Sequence, residues 1–187
     1  MWLKIIFHVL SSHPDFKNTG KILLNDIAIV VLDTLEVGVR EVVPICLPAP
    51  GEDRTIPIGV PRPRWHLGTE LIVASWRGTM KRRVTSVGSQ EVRAHVREAE
   101  GCRRLYRELG VHLPDTILCV NLEAGGKESC QGDTGGGLLQ LRVGDQGGAW
   151  TQVGVLTAGI GCREGRHRLY TRLSSYLDWI QGVRSKS

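Results

Sequence analysis

Cys130-Gln131-Gly132-Asp133-Thr134-Gly135-Gly136 is the stretch on which the reading turns. A glycine-rich loop with one aspartate is by default only a turn, so its context has to decide. Downstream, the runs from Gly137 to Val143, Trp150 to Ala158 and Arg168 to Leu173 have the length and composition of strands. Upstream, Glu70 to Trp76, Val84 to Val96 and Thr116 to Val120 read the same way, and the continuous apolar runs Ile27 to Leu32 and Val42 to Leu47 read as buried strands. Two segments have helical spacing. Glu98 to Leu109 sets charges against Leu105, Tyr106 and Leu109, and Ser175 to Val183 carries Tyr176, Leu177, Trp179 and Ile180, with Ser175 and Asp178 in the positions of a capping box. Between positions 49 and 68 the chain is rich in Pro, Gly and Arg and has no periodicity, the mark of a linker.

The composition agrees with an all-β domain. Among 187 residues there are 23 glycines and 8 prolines scattered between short apolar runs, which implies many tight turns. A hydrophobic share of 41% supports a core, yet no run approaches the roughly 20 apolar residues of a membrane span. The net charge is +5, but the basic residues lie in small groups such as Lys81-Arg82-Arg83 and Arg103-Arg104, without interleaved aromatics, so a nucleic-acid partner is not expected. Five cysteines with no Cys-x-x-Cys pair argue against a zinc ribbon and fit a secreted, disulfide-bearing domain; neither a metal nor a cofactor is expected. Residues 1–12, with Lys4 ahead of Ile5 to Leu10, admit a weak secretory signal or an ordinary strand. His8 interrupts the run and no clear small-residue cleavage site follows, so a strand is preferred.

The loop at Cys130 to Gly136 resembles the Gly-Asp-Ser-Gly-Gly loop of trypsin-like serine proteases, with Thr134 where the family has its nucleophilic serine. Other segments match in the family's order: Asn25-Asp26-Ile27-Ala28, Ile45-Cys46-Leu47-Pro48, Val73-Ala74-Ser75-Trp76, Ile117-Leu118-Cys119, and Tyr170-Thr171-Arg172 ahead of the Trp179 helix. Asp133-Thr134-Gly135 is also the tripeptide of aspartic proteases, but those enzymes need two such carboxylates and only one copy is present. The resemblance implies an all-β, trypsin-like double β-barrel: residues 1–50 as the end of a partial first barrel, 51–68 as the inter-barrel linker, and 69–187 as a complete second barrel with a C-terminal helix.

The chemistry this family performs requires a hydroxyl nucleophile, an imidazole base and a carboxylate that orients the imidazole. The resemblance places Asp26 at the carboxylate position, although an aspartate after asparagine also suits a simple turn. It gives the imidazole no counterpart, because the family's Ala-Ala-His-Cys segment lies ahead of where this chain begins, and His13-Pro14-Asp15-Phe16 is similar to a later surface turn. Thr134 is a second departure, since its extra methyl crowds the approach of the scissile carbonyl. The Gly132 and Thr134 N–H groups fall where the family builds its oxyanion hole. Asp133 falls where a carboxylate pairs with the ammonium released by activation.

In the specificity pocket the resemblance puts Glu128 at the floor, Ala158 in place of a groove-wall tryptophan, Gly159 beside it, and Arg168 where the family has a pocket-opening glycine. Arg168 either fills the pocket and pairs with Glu128 or is displaced to the surface by a loop-length difference. The family's bridges imply Cys102 with Cys119 and Cys130 with Cys162. A third bridge is lost at both ends, with Leu71 and Gln140 at its positions, and Cys46 is left over as a free or intermolecular thiol. The expectation is a secreted, catalytically inactive homologue that binds a protein or peptide partner. The alternatives are an active endopeptidase completed by a longer form, or a truncated product whose first-barrel strands expose unpaired edges.

Overall fold

The computed structural model describes residues 7–32, 43–49, 70–78, 85–96, 99–122, 134–144, 147–157 and 167–186. Its centre is a closed six-stranded antiparallel barrel. In chain order its strands are preceded by β1 (Phe7–Ser12), β2 (Lys17–Asn18), β3 (Leu23–Leu24) and β4 (Ala28–Leu32). The barrel itself consists of β5 (Glu70–Gly78), β6 (Thr85–Val96), β7 (Ile117–Leu122), β8 (Gly137–Gly144), β9 (Gly147–Leu156) and β10 (His167–Arg172), with α1 (Ala99–Glu108) between β6 and β7. The neighbour order is β10-β7-β6-β5-β8-β9, and pairing of Tyr170 with Leu156 and Arg172 with Gly154 closes it.

Alternation builds this barrel. Leu71 and Val73, Leu118 and Val120, and Leu138, Val153, Leu156 and Tyr170 meet inside it, each worth roughly 1.5–3 kcal/mol when fully removed from water. On β7 the intervening residues Ile117 and Cys119 face outward and are also buried, against Tyr106 of α1 together with Val111, Leu113 and Leu169. A strand buried on both faces reads as an unbroken apolar run, as Ile117 to Val120 does. Gly154 is needed for close packing: a Cβ there would lie 3.0 Å from the Tyr170 Cβ and 3.4 Å from that of Leu138.

The first part of the chain is less complete. β1 pairs antiparallel with β4, and β2 with β3, as two separate two-stranded ribbons. Residues between these strands reach the second barrel. Ile22 is buried in the cluster around Tyr106, and Ile27 packs with Leu173 and Tyr176, flanked by Val155, Trp179 and Ile180. The Lys21 ammonium donates to the Leu109 and Gly110 carbonyls at 3.4 and 3.5 Å, placing a cation at the C-terminal end of α1.

Four expectations need correction. The run Ile27 to Leu32 is a strand from Ala28 but not a buried one: Leu10 is 68% exposed and Val30, directly across from it, 42%. Of the run Val42 to Leu47, the described residues 43–47 form no strand. Within 43–49 a single parallel bridge, Cys46 to Thr151, attaches the chain to β9, and Pro44 and Pro48 have no N–H with which to extend it. Among the described side chains of α1 Tyr106 is the buried one, while Leu105 and Leu109 beside it are 39% and 51% exposed and do not join it on one apolar face. The capping box does not form. A 3-10 turn (Leu173–Ser175) precedes α2 (Leu177–Arg184), whose N-cap is Tyr176 with no side-chain cap bond.

Candidate functional site

Asn25 takes a left-handed backbone, φ 51°, a conformation its short polar side chain tolerates better than most. This bend presents Asp26 to the barrel. The Thr157 hydroxyl, just past β9, donates to Asp26 Oδ2 at 2.7 Å. The Thr171 hydroxyl on β10 donates to the Asp26 carbonyl at 2.9 Å, and the Tyr176 hydroxyl donates to Asn25 Oδ1 at 2.8 Å. Asn25 in turn donates from Nδ2 to the Asp15 carbonyl at 2.8 Å. Burial pushes the Tyr176 phenol above its usual value, partly offset by a hydrogen bond with Thr116.

Thr134 lies at the same end of β9. It is exposed, in a turn ahead of β8, and Gly135 follows with φ 89°, a conformation that strains any residue with a Cβ. The Gly135 N–H donates to the Leu156 carbonyl at 2.8 Å and the Leu156 N–H to the Gly136 carbonyl at 2.9 Å. Leu156 thus anchors the Thr134 loop while its neighbour Thr157 holds Asp26, so two positions far apart in sequence converge on one strand end. Arg168 belongs to this end as well. It pairs with Val120 on β7 and is half-buried, and the next residue, Leu169, accepts the Thr157 N–H at 3.1 Å.

His13 precedes Asp26, but its ring packs against Tyr176 and Trp179, with centroids 5.3 and 5.0 Å away. It is part of the wall behind the site. Glu128, Cys130, Gly132, Asp133, Ala158, Gly159 and Cys162 lie outside the described residues, as does the pairing of Glu128 with Arg168. Cys46 is an exposed free thiol held on β9 by backbone bonds to Trp150 and Gln152 at 3.2 and 2.9 Å. Sequence reasoning missed Thr157, Thr171 and Tyr176. For the two threonines the available signal was their place at the ends of β9 and β10, since a buried hydroxyl needs a partner.

A family model for trypsin matches residues 4–180. The chain belongs to the trypsin family. Among its relatives, phenoloxidase-activating factor 3 of Holotrichia diomphalia is 33% identical over 94% of this chain and 46% of its own length. Serine protease 7 of Drosophila melanogaster is 33% identical over 90% and 40%, respectively, and the human serine protease 56 is 32% identical over 94% and 26%. The chain therefore spans less than half the length of these trypsin-family relatives. Among the described residues, no helix is long and apolar enough to cross a membrane.

Proposed function

We propose that this trypsin-family chain is a non-catalytic serine protease homologue, secreted, and used to bind a protein or peptide through the loops at the Thr134 end of its barrel. The observation that carries this reading is the loop itself. Thr134 stands at the nucleophile position, and the bonds of Gly135 and Gly136 to Leu156 fix where its hydroxyl begins. A β-branched side chain there restricts χ1 and sets a methyl beside the incoming carbonyl. Among the described residues ahead of Asp26, the His13 ring is committed to Tyr176 and Trp179. In a comparable triad, losing the base or nucleophile costs about 10⁶ in turnover, and the oxyanion donors alone leave only about 10³–10⁴ over water.

In this reading Gly132 and Thr134 retain the family's anion-binding positions without useful hydrolysis, and Arg168 fills the specificity pocket that the resemblance assigns to Glu128, Ala158 and Gly159 instead of turning to the surface. The domain boundaries are those the sequence implies, at 1–50, 51–68 and 69–187. Two bridges, Cys102 to Cys119 and Cys130 to Cys162, brace the second barrel. Supporting the first, Cys119 is buried beside Tyr106 and is a bonded cysteine with no titrating thiol, and Cys102 lies four residues before Tyr106 on α1. No nucleic-acid partner and no cofactor enter this reading.

A second reading has one observation in its favour: the Asp26 carboxylate is still anchored, by Thr157. In that reading a longer form supplies the imidazole and the protein is an active serine-type endopeptidase. Hydrolysis of a peptide library with basic, aromatic and small residues decides between them, using wild type, Thr134→Ala and Thr134→Ser. We expect no turnover from folded wild type. Turnover that Thr134→Ala abolishes establishes the endopeptidase.

A further inference from the structure

We propose that Asn25-Asp26 is a polar clasp that holds the segment from Phe7 to Leu32 onto the second barrel, an office independent of hydrolysis. Three hydroxyls from three places in the C-terminal half, Thr157, Thr171 and Tyr176, converge on these two consecutive residues, across 131, 145 and 151 positions of sequence. All three donors are buried, at 3%, 0% and 4% exposure. Each would be left without this acceptor if the segment moved away, and a buried donor that loses its partner is expensive.

The bonds on the other side of the clasp tie it to the segment it holds. Asn25 Nδ2 donates to the Asp15 carbonyl, Ile27 N–H to the Asn25 carbonyl at 2.9 Å, and His13 N–H to the Ile27 carbonyl at 3.0 Å. The His13 ring then lies against Tyr176 and Trp179. Among the described side chains of the same segment the apolar attachment is modest: Ile22 and Ile27 are buried and Leu24 packs against the Ile22 cluster, while Leu10, Phe16 and Val30 are exposed. A two-stranded ribbon is marginal by itself, so the clasp decides whether β1 and β4 stay docked.

Hydrogen exchange of the full chain, resolved by peptide, tests the clasp. Tyr176→Phe keeps the ring packing and removes one donor, and Asp26→Ala removes one acceptor. Both are expected to speed exchange in 7–32 by roughly tenfold, with β7 and β10 unchanged. Asp26→Asn, which keeps an oxygen for Thr157, is expected to stay close to wild type. Unchanged exchange in 7–32 for both Tyr176→Phe and Asp26→Ala overturns the clasp, as does an equal rise across the barrel. Peptide hydrolysis on the same samples is a separate readout: turnover by wild type defeats the non-catalytic reading and leaves the clasp to be judged by exchange alone.

Discussion

Tyr176 ties three parts of the molecule together, because its hydroxyl donates to Asn25 while its ring lies between His13 and the Ile27 cluster. Its phenol is raised above its usual value, chiefly by desolvation, so the folded state holds the proton more tightly than the unfolded chain. The sign follows. The stabilisation is fully present below pH 10 and is lost as pH rises through the higher folded value, where the donor becomes an anion facing the Asn25 oxygen. Urea unfolding at pH 8 and above pH 10 should show wild type more stable than Tyr176→Phe at the lower pH, with the gap narrowing at the higher. A gap that stays constant would contradict the assignment. At this scale the sequence singled out Asp26 and Thr134 because each sits in a motif. It left Thr157 unseen, because its contact with Asp26 crosses 131 positions and has no local pattern.

The strands of the barrel were legible because alternation and turn chemistry act locally, and β5 to β10 fall where the apolar runs predict. Elements outside the barrel were less so. An apolar run such as Val42 to Leu47 carries the same hydrophobic signal as a strand, but Pro44 and Pro48 have no N–H for a ladder, and among the described residues it is Cys46 that bonds to β9 through both its N–H and its carbonyl. The pairing of β5 with β8 joins Ile72 to Leu139 and Val73 to Leu138. One step further in the same register sets Leu71 across from Gln140, the two positions at which the family resemblance implies a lost bridge. Antiparallel partners have Cα atoms about 4.5–5.5 Å apart, within the range of a disulfide. Gln140 Oε1 is also buried without a partner among the described residues. The double variant Leu71→Cys, Gln140→Cys should therefore oxidise to an intramolecular crosslink and gain about 2–4 kcal/mol over its reduced form. Failure to crosslink in folded protein, read by peptide mapping, would contradict the register.

For the whole molecule, a closed barrel with a helix on its outside and a clasped N-terminal segment brings Asp26, the Thr134 loop and Arg168 to one end. The order of the motifs along the chain made that architecture legible. How firmly the partial first barrel is held was not, since that depends on Ile22, Ile27 and three buried hydroxyls scattered over distant elements. The central claim is that this trypsin-family architecture is kept without a working nucleophile at Thr134. Treatment of the longest natural form of the protein with a peptidyl phosphonate, followed by intact mass and peptide mapping, tests it most directly. The account predicts no adduct on Thr134 under conditions that label an active family member fully. A stoichiometric adduct on Thr134 would contradict it.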